Sequence, residues 1–250
     1  MGIKAIITAG GPVPRSLAET VNVSRKALIE VGVQSLLQTA VQAARDCRFI
    51  DGLVVVGNQD VQAALDDSTD FLPEGENLVA NIERGFEHFG GESQNYLTIS
   101  PDLPFLTGGC LDEFLERSTG DCRIGVPLVT RTDFLDCYPG APNRFARLAG
   151  GREVTTGSCF YLDGPALKSN FPLFHDLFRF RKYPHRLAVM LGFRILWAFA
   201  FGGLSVEMAE ERATQLTGAE VKAVEVANAA IAYDIDNLEN YNFALQVQDR

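Results

Sequence analysis

The chain contains no Cys-x-x-Cys pair. Its five cysteines, Cys47, Cys110, Cys122, Cys137 and Cys159, are scattered and odd in number. That argues against a zinc site or a disulfide framework, and for reduced thiols in a cytoplasmic protein. Histidine is scarce as well: His88, His175 and His185 show no ligand spacing, and His88 falls on a helix surface. Positive charge is also short. A formal net charge of −10 argues against general binding to nucleic acid or to an anionic membrane, although it leaves room for a local basic pocket. No charged-then-apolar leader opens the sequence, and no repeat, low-complexity tract or long linker interrupts it. Only 187-LAVMLGFRILWAFAFGGLSV-206 is apolar enough to test as a membrane span. Arg194 sits inside it and glycines break it, so the segment reads instead as a buried helix followed by a strand. Contact of this segment with a membrane-borne acceptor stands beside core burial as the alternative.

What is present is an ordinary globular mix, 46% hydrophobic and 22% charged, in 250 residues. β-rich apolar runs recur at 3-IKAIITA-9, 53-LVVVG-57, 96-YLTIS-100, 123-RIGVPLV-129, 159-CFYL-162 and 221-VKAVEV-226. Several lack polar alternation, as strands covered on both faces do. Helical periodicity fills the gaps at 35–47, 76–89, 109–118 and 205–216, the last opening on a serine cap and ending before Gly218. Strands alternating with helices predict an α/β fold: a mostly parallel sheet with helices on both faces, as one domain over residues 1–250. Residues 131–190 alternate less cleanly and carry several Pro and Gly residues, which reads as a lid or acceptor-side excursion from the sheet.

In such folds ligands bind beyond the carboxyl ends of the strands. The first strand ends at Ala9-Gly10-Gly11, where bare backbone admits phosphates or a base to the amides. Arg15 and the later 25-RKAL-28 add positive charge. This is not a Walker loop, because no Gly-Lys-Ser/Thr follows. It is not a dinucleotide fingerprint either, because Pro12, Val13 and Pro14 stand where further glycines and a helix start belong. The pattern resembles the signature of the MobA-like nucleotidyltransferases, Ala-Gly-Gly-x-Gly-x-Arg with a downstream Lys. Ala9, Gly10, Gly11, Arg15 and Lys26 match it, and Val13 replaces the third glycine. The resemblance implies a three-layer, Rossmann-like nucleotide-diphospho-sugar transferase fold. It also implies that the loop holds a nucleoside triphosphate whose phosphates Arg15 and Lys26 neutralise.

Two carboxylate segments extend the pattern. In 96-YLTISPDLPFLT-107 a strand runs into Asp102, which faces the same crevice as the glycines and suits a Mg²⁺ ligand; a plain turn aspartate is the alternative. In 232-AYDIDNLENY-241, Asp234 and Asp236 point to one side of an extended segment, and Asn237 starts a helix with Glu239 in its first turn. The resemblance implies a metal site, for Mg²⁺ or Mn²⁺, on Asp102 and Asp236, with Asp234 a weaker match. Asn77 and Asn81 are candidates for amide contacts to base or ribose, set against helix capping by Asn77 and an exposed Asn81. Gly157 and Ser158, in 155-TTGSCFYL-162, resemble an acceptor-side loop, set against a hairpin turn. Arg144 is a further candidate. Arg179, Arg181, Lys182, His185 and Arg186 form either a solvated face or a basic wall for an anionic acceptor.

The expected reaction is transfer of a nucleoside monophosphate from the triphosphate to a phosphorylated small molecule, with pyrophosphate released. The expected partners are the triphosphate and that acceptor, with no nucleic acid, no transmembrane span, and a homodimer allowed. Two rivals remain at this stage: a glycosyltransferase of the same fold consuming a nucleotide sugar, and a nucleotide-binding protein without catalysis.

Overall fold

The computed structural model describes residues 2–181 and 183–248. In the first half, β1 (Ile3–Thr8) leads through a long loop to the short pair β2 (Glu30–Val31) and β3 (Gln34–Ser35) and then to α1 (Leu36–Asp46). There follow β4 (Ile50–Gly57), α2 (Gln59–Ala63), β5 (Asp70–Pro73), α3 (Leu78–His88), β6 (Asn95–Ile99) and α4 (Gly108–Ser118). The second half carries β7 (Ile124–Thr130), α5 (Arg131–Cys137), β8 (Ala146–Arg147), β9 (Glu153–Thr156), β10 (Cys159–Asp163) and α6 (Gly164–Phe180). It ends with α7 (Pro184–Leu191), α8 (Phe193–Ala200), α9 (Val206–Thr217), β11 (Val221–Glu225) and α10 (Leu238–Gln248).

Among the described residues nine strands make one sheet in the order β5-β4-β1-β6-β10-β7-β9-β8, with β11 also paired to β7. β10 is antiparallel to both β6 and β7, and β9 to both β7 and β8, so the other seven strands share one direction. Side-chain alternation along β1 separates two cores. Ile3, Ala5 and Ile7 face a cluster with Leu37 of α1 and Leu111 of α4. Ile6 faces the other side, with Phe86 of α3, Leu167 of α6 and Ala213 of α9. Burial of both faces explains why these strands read as continuous apolar runs. Local chemistry sets the helix ends. Ser35 and Gln38 form a reciprocal capping box on α1, and Ser205 caps α9, which stops at Gly218 with φ 65°.

Two sequence expectations are corrected. Residues 131–190 do not leave the sheet as an excursion: they supply β8, β9 and β10, and β10 lies at the sheet's centre between β6 and β7. The Pro and Gly residues there mark short connections between strands. The segment 187–206 forms neither a buried helix nor a strand. It folds as most of α7 and all of α8 followed by a turn, and Phe193, Trp197 and Phe201 are exposed. Among the described residues no helix is long and apolar enough to cross a membrane.

Candidate active site

The loop after β1 is built by close approach. Ala9 is fully buried and donates its N–H to the Val56 carbonyl at 2.8 Å, so it anchors the loop and does not line the cavity. A Cβ on Gly10 would come within 2.6 Å of the Glu74 carboxylate and 3.0 Å of the Asn81 amide, so those side chains need a bare backbone there. At Gly11 nothing lies within 4 Å of the same position, which leaves its backbone open to a ligand. The Gly11 carbonyl accepts from the Lys26 N–H at 3.0 Å and so ties the second basic segment to the first loop. Glu74, just past β5, is held by Arg25, whose Nη2 donates to Oε1 at 2.5 Å.

Lys26 then reaches across the site. Its Nζ lies 2.6 Å from Asp102 Oδ2 and 2.9 Å from Asp236 Oδ1. Burial alone would lower the Lys26 pKa, but the Asp102 carboxylate and the bonds to Asp236 outweigh it and leave the ammonium raised. The other oxygen of Asp102, Oδ1, is buried and has no hydrogen-bond partner among the described residues. Asp102, Asp234 and Asp236 each offer an oxygen, and these oxygens lie within 4.8 Å of one another. Burial, together with the charges of Asp236 and Asp102, pushes the Asp234 carboxyl up to about 6. The segment is fixed from below. Tyr233 and Ile235 are buried, Tyr233 donates to the Asn240 carbonyl at 2.8 Å, and the Ile235 N–H donates to the Asp102 carbonyl at 3.1 Å. Inward Tyr233 and Ile235 leave Asp234 and Asp236 on the opposite side of an extended stretch. Asn237 caps α10 by accepting from the Asn240 N–H at 3.0 Å.

Two cavities meet at these acids. One, of about 650 Å³, is lined by Gly10, Gly11, Lys26, Asn77, Asn81 and Asp102 among others, and reaches Asp236. The second, of about 760 Å³, runs from Asp234 and Asp236 to Arg144, Gly157 and Ser158. The second cavity's wall comes from an irregularity in the sheet. β9 and β10 both run antiparallel to β7, but Thr156 faces Leu128 while Tyr161 faces Gly125, so the register slips by two residues between them. Gly157 and Ser158 sit in this bulge, which is not a hairpin turn. A Cβ on Gly157 would lie 2.7 Å from the Ile231 carbonyl oxygen, and the Ser158 N–H donates to that same oxygen at 3.0 Å. The Ser158 carbonyl in turn accepts from the Ser100 N–H at 3.1 Å, binding the bulge to the Asp102 loop.

The structure thus gathers Gly10, Gly11, Lys26, Asn77, Asn81, Asp102 and Asp236 around the first cavity, and Arg144, Gly157, Ser158, Asp234 and Asp236 around the second. Asn77 does cap α3, accepting from the Val79 and Ala80 N–H groups. Asn81 is buried, not exposed, and accepts from the Gly75 N–H at 2.6 Å. Arg15 is exposed and lines neither cavity. Arg181 borders the first cavity, not the second, and Lys182 lies outside the described residues. Sequence reasoning missed three wall residues. Glu74 follows β5, a strand too short and proline-ended to be noticed. Phe178 borders the first cavity from the end of α6. Asn143 lines the second, with its Nδ2 buried and unpartnered among the described residues; the only signal was its place beside Arg144.

Comparison with solved structures finds this architecture again. A hypothetical transferase from Thermus thermophilus is 26% identical, with a TM-score of 0.84 over 96% of this chain and 100% of its own. A nucleotidyl transferase from Methanothermobacter is 17% identical, with a TM-score of 0.58 over 99% of this chain and 96% of its own. A 4-diphosphocytidyl-2C-methyl-D-erythritol synthase from Anaerococcus prevotii is 12% identical, with a TM-score of 0.62 over 100% of this chain and 96% of its own. The mixed, mostly parallel sheet covered on both faces is the Rossmann-like nucleotide-diphospho-sugar transferase fold. No curated protein sequence matches the chain. The model of the MobA-like NTP transferase domain matches residues 5–152, which carry the glycine loop, Lys26 and Asp102, and the chain belongs to that family.

Proposed function

We propose that the protein transfers a nucleoside monophosphate from a nucleoside triphosphate to a phosphorylated small molecule and releases pyrophosphate. One observation carries the reading: two cavities of substrate size abut at a cluster of three carboxylates and one lysine. A reaction joining two bound reactants needs two sites with a shared wall where the new bond forms. The triphosphate would occupy the cavity under Gly10 and Gly11, its phosphates against the open backbone of Gly11 and the ammonium of Lys26. The acceptor would occupy the cavity bounded by Arg144, Asn143 and the Gly157–Ser158 bulge. An acceptor phosphate oxygen then attacks the α-phosphorus, and the bond to the bridging oxygen of pyrophosphate breaks. No covalent enzyme intermediate is required. The protein aligns the reactants, excludes water and stabilises the charge on phosphorus.

Asp102, Asp234 and Asp236 fit a divalent cation such as Mg²⁺. Their oxygens cluster, the donor set is all carboxylate, and the buried Oδ1 of Asp102 lacks a partner among the described residues. Such a cation, when bound, supplies Lewis-acid stabilisation of phosphoryl oxygens. In its absence Lys26 neutralises Asp102 and Asp236, and it is positioned to shift toward triphosphate oxygens when they arrive.

The test is pyrophosphate release with each of the four nucleoside triphosphates and Mg²⁺ across a panel of phosphorylated acceptors. Acceptor-dependent pyrophosphate is the expected result. Consumption of nucleotide sugars without pyrophosphate would instead mark a glycosyltransferase. Triphosphate binding without turnover on any acceptor would mark a nucleotide-binding protein.

A further inference from the structure

The whole-chain charge of −10 hides a local reversal. From Leu177 to Val206 the sequence holds no aspartate or glutamate, and it carries Arg179, Arg181, Arg186 and Arg194. The same stretch contains Val189, Phe193, Trp197 and Phe201, each about 70% exposed: 70%, 73%, 68% and 71% in turn. A helix apolar on all sides belongs in a core or a membrane. Helix α8 is apolar on two faces, but among the described residues only one face has a partner. Ile195 and Ala198 pack inward against the cluster of Leu128, Leu148, Val154 and Leu204. Phe193, Trp197 and Phe201 follow at intervals of four on the outer side, where the rings of Trp197 and Phe201 lie 4.3 Å apart. This face is anchored. Arg212 of α9 donates to the carbonyls of Met190 and Leu191, both at 2.8 Å, and pins the end of α7.

We infer that the α7–α8 segment docks in the plane of an anionic lipid surface, with Val189, Phe193, Trp197 and Phe201 at the headgroup–acyl boundary and Arg186 and Arg194 on lipid phosphates. Tryptophan and phenylalanine beside arginine, on short helices that do not span, suit an interfacial anchor. Neither Arg186 nor Arg194 forms an ion pair among the described residues. Arg186 lies over the rings of Phe180, at 5.0 Å, and Tyr183, at 5.5 Å, and so remains available to a phosphate. The stretch itself carries arginines and no carboxylate, so an anionic bilayer complements it, with Glu211 of α9 set back in the cleft beside Phe193 and Arg194. The same stretch of chain borders the first cavity through Phe178 and Arg181. The inference does not depend on which reaction the protein performs.

Trp197 is the only tryptophan in the chain, so its fluorescence reports on this face alone. The full chain is mixed with vesicles of phosphatidylcholine, or of phosphatidylcholine with phosphatidylglycerol, and followed by Trp197 emission and co-sedimentation. The expected result is a blue shift and sedimentation with the anionic vesicles only, both weakened by salt. Phe193→Ser with Phe201→Ser keeps the reporter and abolishes both signals, with the far-ultraviolet circular dichroism unchanged. Arg186→Gln with Arg194→Gln weakens partitioning about thirtyfold, at ~1 kcal/mol for each arginine near the surface. No shift on anionic vesicles overturns the inference, as does an equal shift on both vesicle types. So does Trp197 shielded from acrylamide without lipid in a species of doubled mass, which would give the face to a second copy of the chain.

Discussion

Lys26→Met keeps the side chain's length and removes the ammonium that Asp102 and Asp236 share. The Lys26 and Asp102 side chains are only 14% and 13% exposed, whereas Asp236 is 67% exposed, so the cost falls on Asp102. Removing one partner of a buried ion pair costs about 3–5 kcal/mol, because the remaining charge stays buried and uncompensated. The expected loss is therefore about 3–5 kcal/mol. For a chain of this length each kcal/mol lowers Tm by about 2–4 °C, so the variant should melt about 6–20 °C below wild type in chelator. Two further arms separate electrostatics from lost packing. Mg²⁺ should raise Tm more in Lys26→Met than in wild type, since the cation replaces the missing charge. Lys26→Met combined with Asp102→Asn should recover about 2 kcal/mol or more of the loss, a coupling that independent sites do not show. A single variant that melts within about one degree of wild type would refute the reasoning. So would a double variant whose losses simply add.

Four further outcomes follow from the same geometry. Asp102→Asn should lower turnover by about 10³-fold with the fold intact, since it removes charge from the atoms nearest the proposed phosphoryl transfer; steady-state pyrophosphate release measures it, and near-normal turnover removes Asp102 from the site. Gly11→Ala should leave Tm unchanged, because its Cβ meets no protein atom within 4 Å, yet weaken triphosphate binding in a titration if phosphates approach that backbone. Asp234, raised from its ordinary 3.8 to about 6, holds a proton through a window in which the unfolded chain has lost it. In chelator its contribution is therefore complete below that window and fades as pH rises through about 6, while the Tm gain from Mg²⁺ should grow over the same rise; a gain independent of pH from 5 to 8 contradicts this. Of the five thiols only Cys137 is exposed, and burial pushes Cys47 and Cys110 up to about 12 and Cys122 up to about 11, so native protein should label at one thiol with a colorimetric disulfide reagent, against five when unfolded.

The sheet was legible because its strands are buried on both faces, so composition alone marks them. Every apolar run singled out, from 3-IKAIITA-9 to 221-VKAVEV-226, overlaps a strand of the sheet. Periodicity found α1, α3, α4 and α9 to within a residue or two at each end, and Ser35, Asn77, Thr107 and Ser205 show why: each caps its helix with its own side chain. Hydropathy failed at 187–206 for a physical reason. It reports that a segment prefers to leave water, not that the fold provides a partner for it. The inner face of α8 is covered by Leu148 and Leu204, and nothing in the sequence tells that face from the outer one.

The site was legible only in part, and the division follows from what a motif encodes. Gly10, Lys26, Asp102 and Asp236 stand at strand ends or in turns where one residue type is required by a close approach or a charge, so the residue itself carries the signal. Asn143 and Glu74 carry no such signal, because their roles arise from neighbours far along the chain. Glu74 matters through Arg25, forty-nine positions away, and Lys26 meets Asp236 across two hundred and ten. What joins these segments is backbone. Gly11 to Lys26, Ser100 to Ser158, Ser158 to Ile231 and Ile235 to Asp102 are main-chain hydrogen bonds between loops at one edge of the sheet. Side-chain identity does not specify such bonds, so sequence reading finds the candidate ligand-binding groups before it finds the frame that holds them together. The frame makes a strong demand of its own. Gly157→Ala touches no carboxylate, yet its Cβ would strike the Ile231 carbonyl oxygen at 2.7 Å, two residues before Tyr233 and three before Asp234. If that backbone frame sets the metal geometry, the substitution should weaken Mg²⁺ binding measured by calorimetry as well as acceptor binding. A Gly157→Ala protein with unchanged Mg²⁺ affinity would mean that the acids are positioned by α10 and Tyr233 alone.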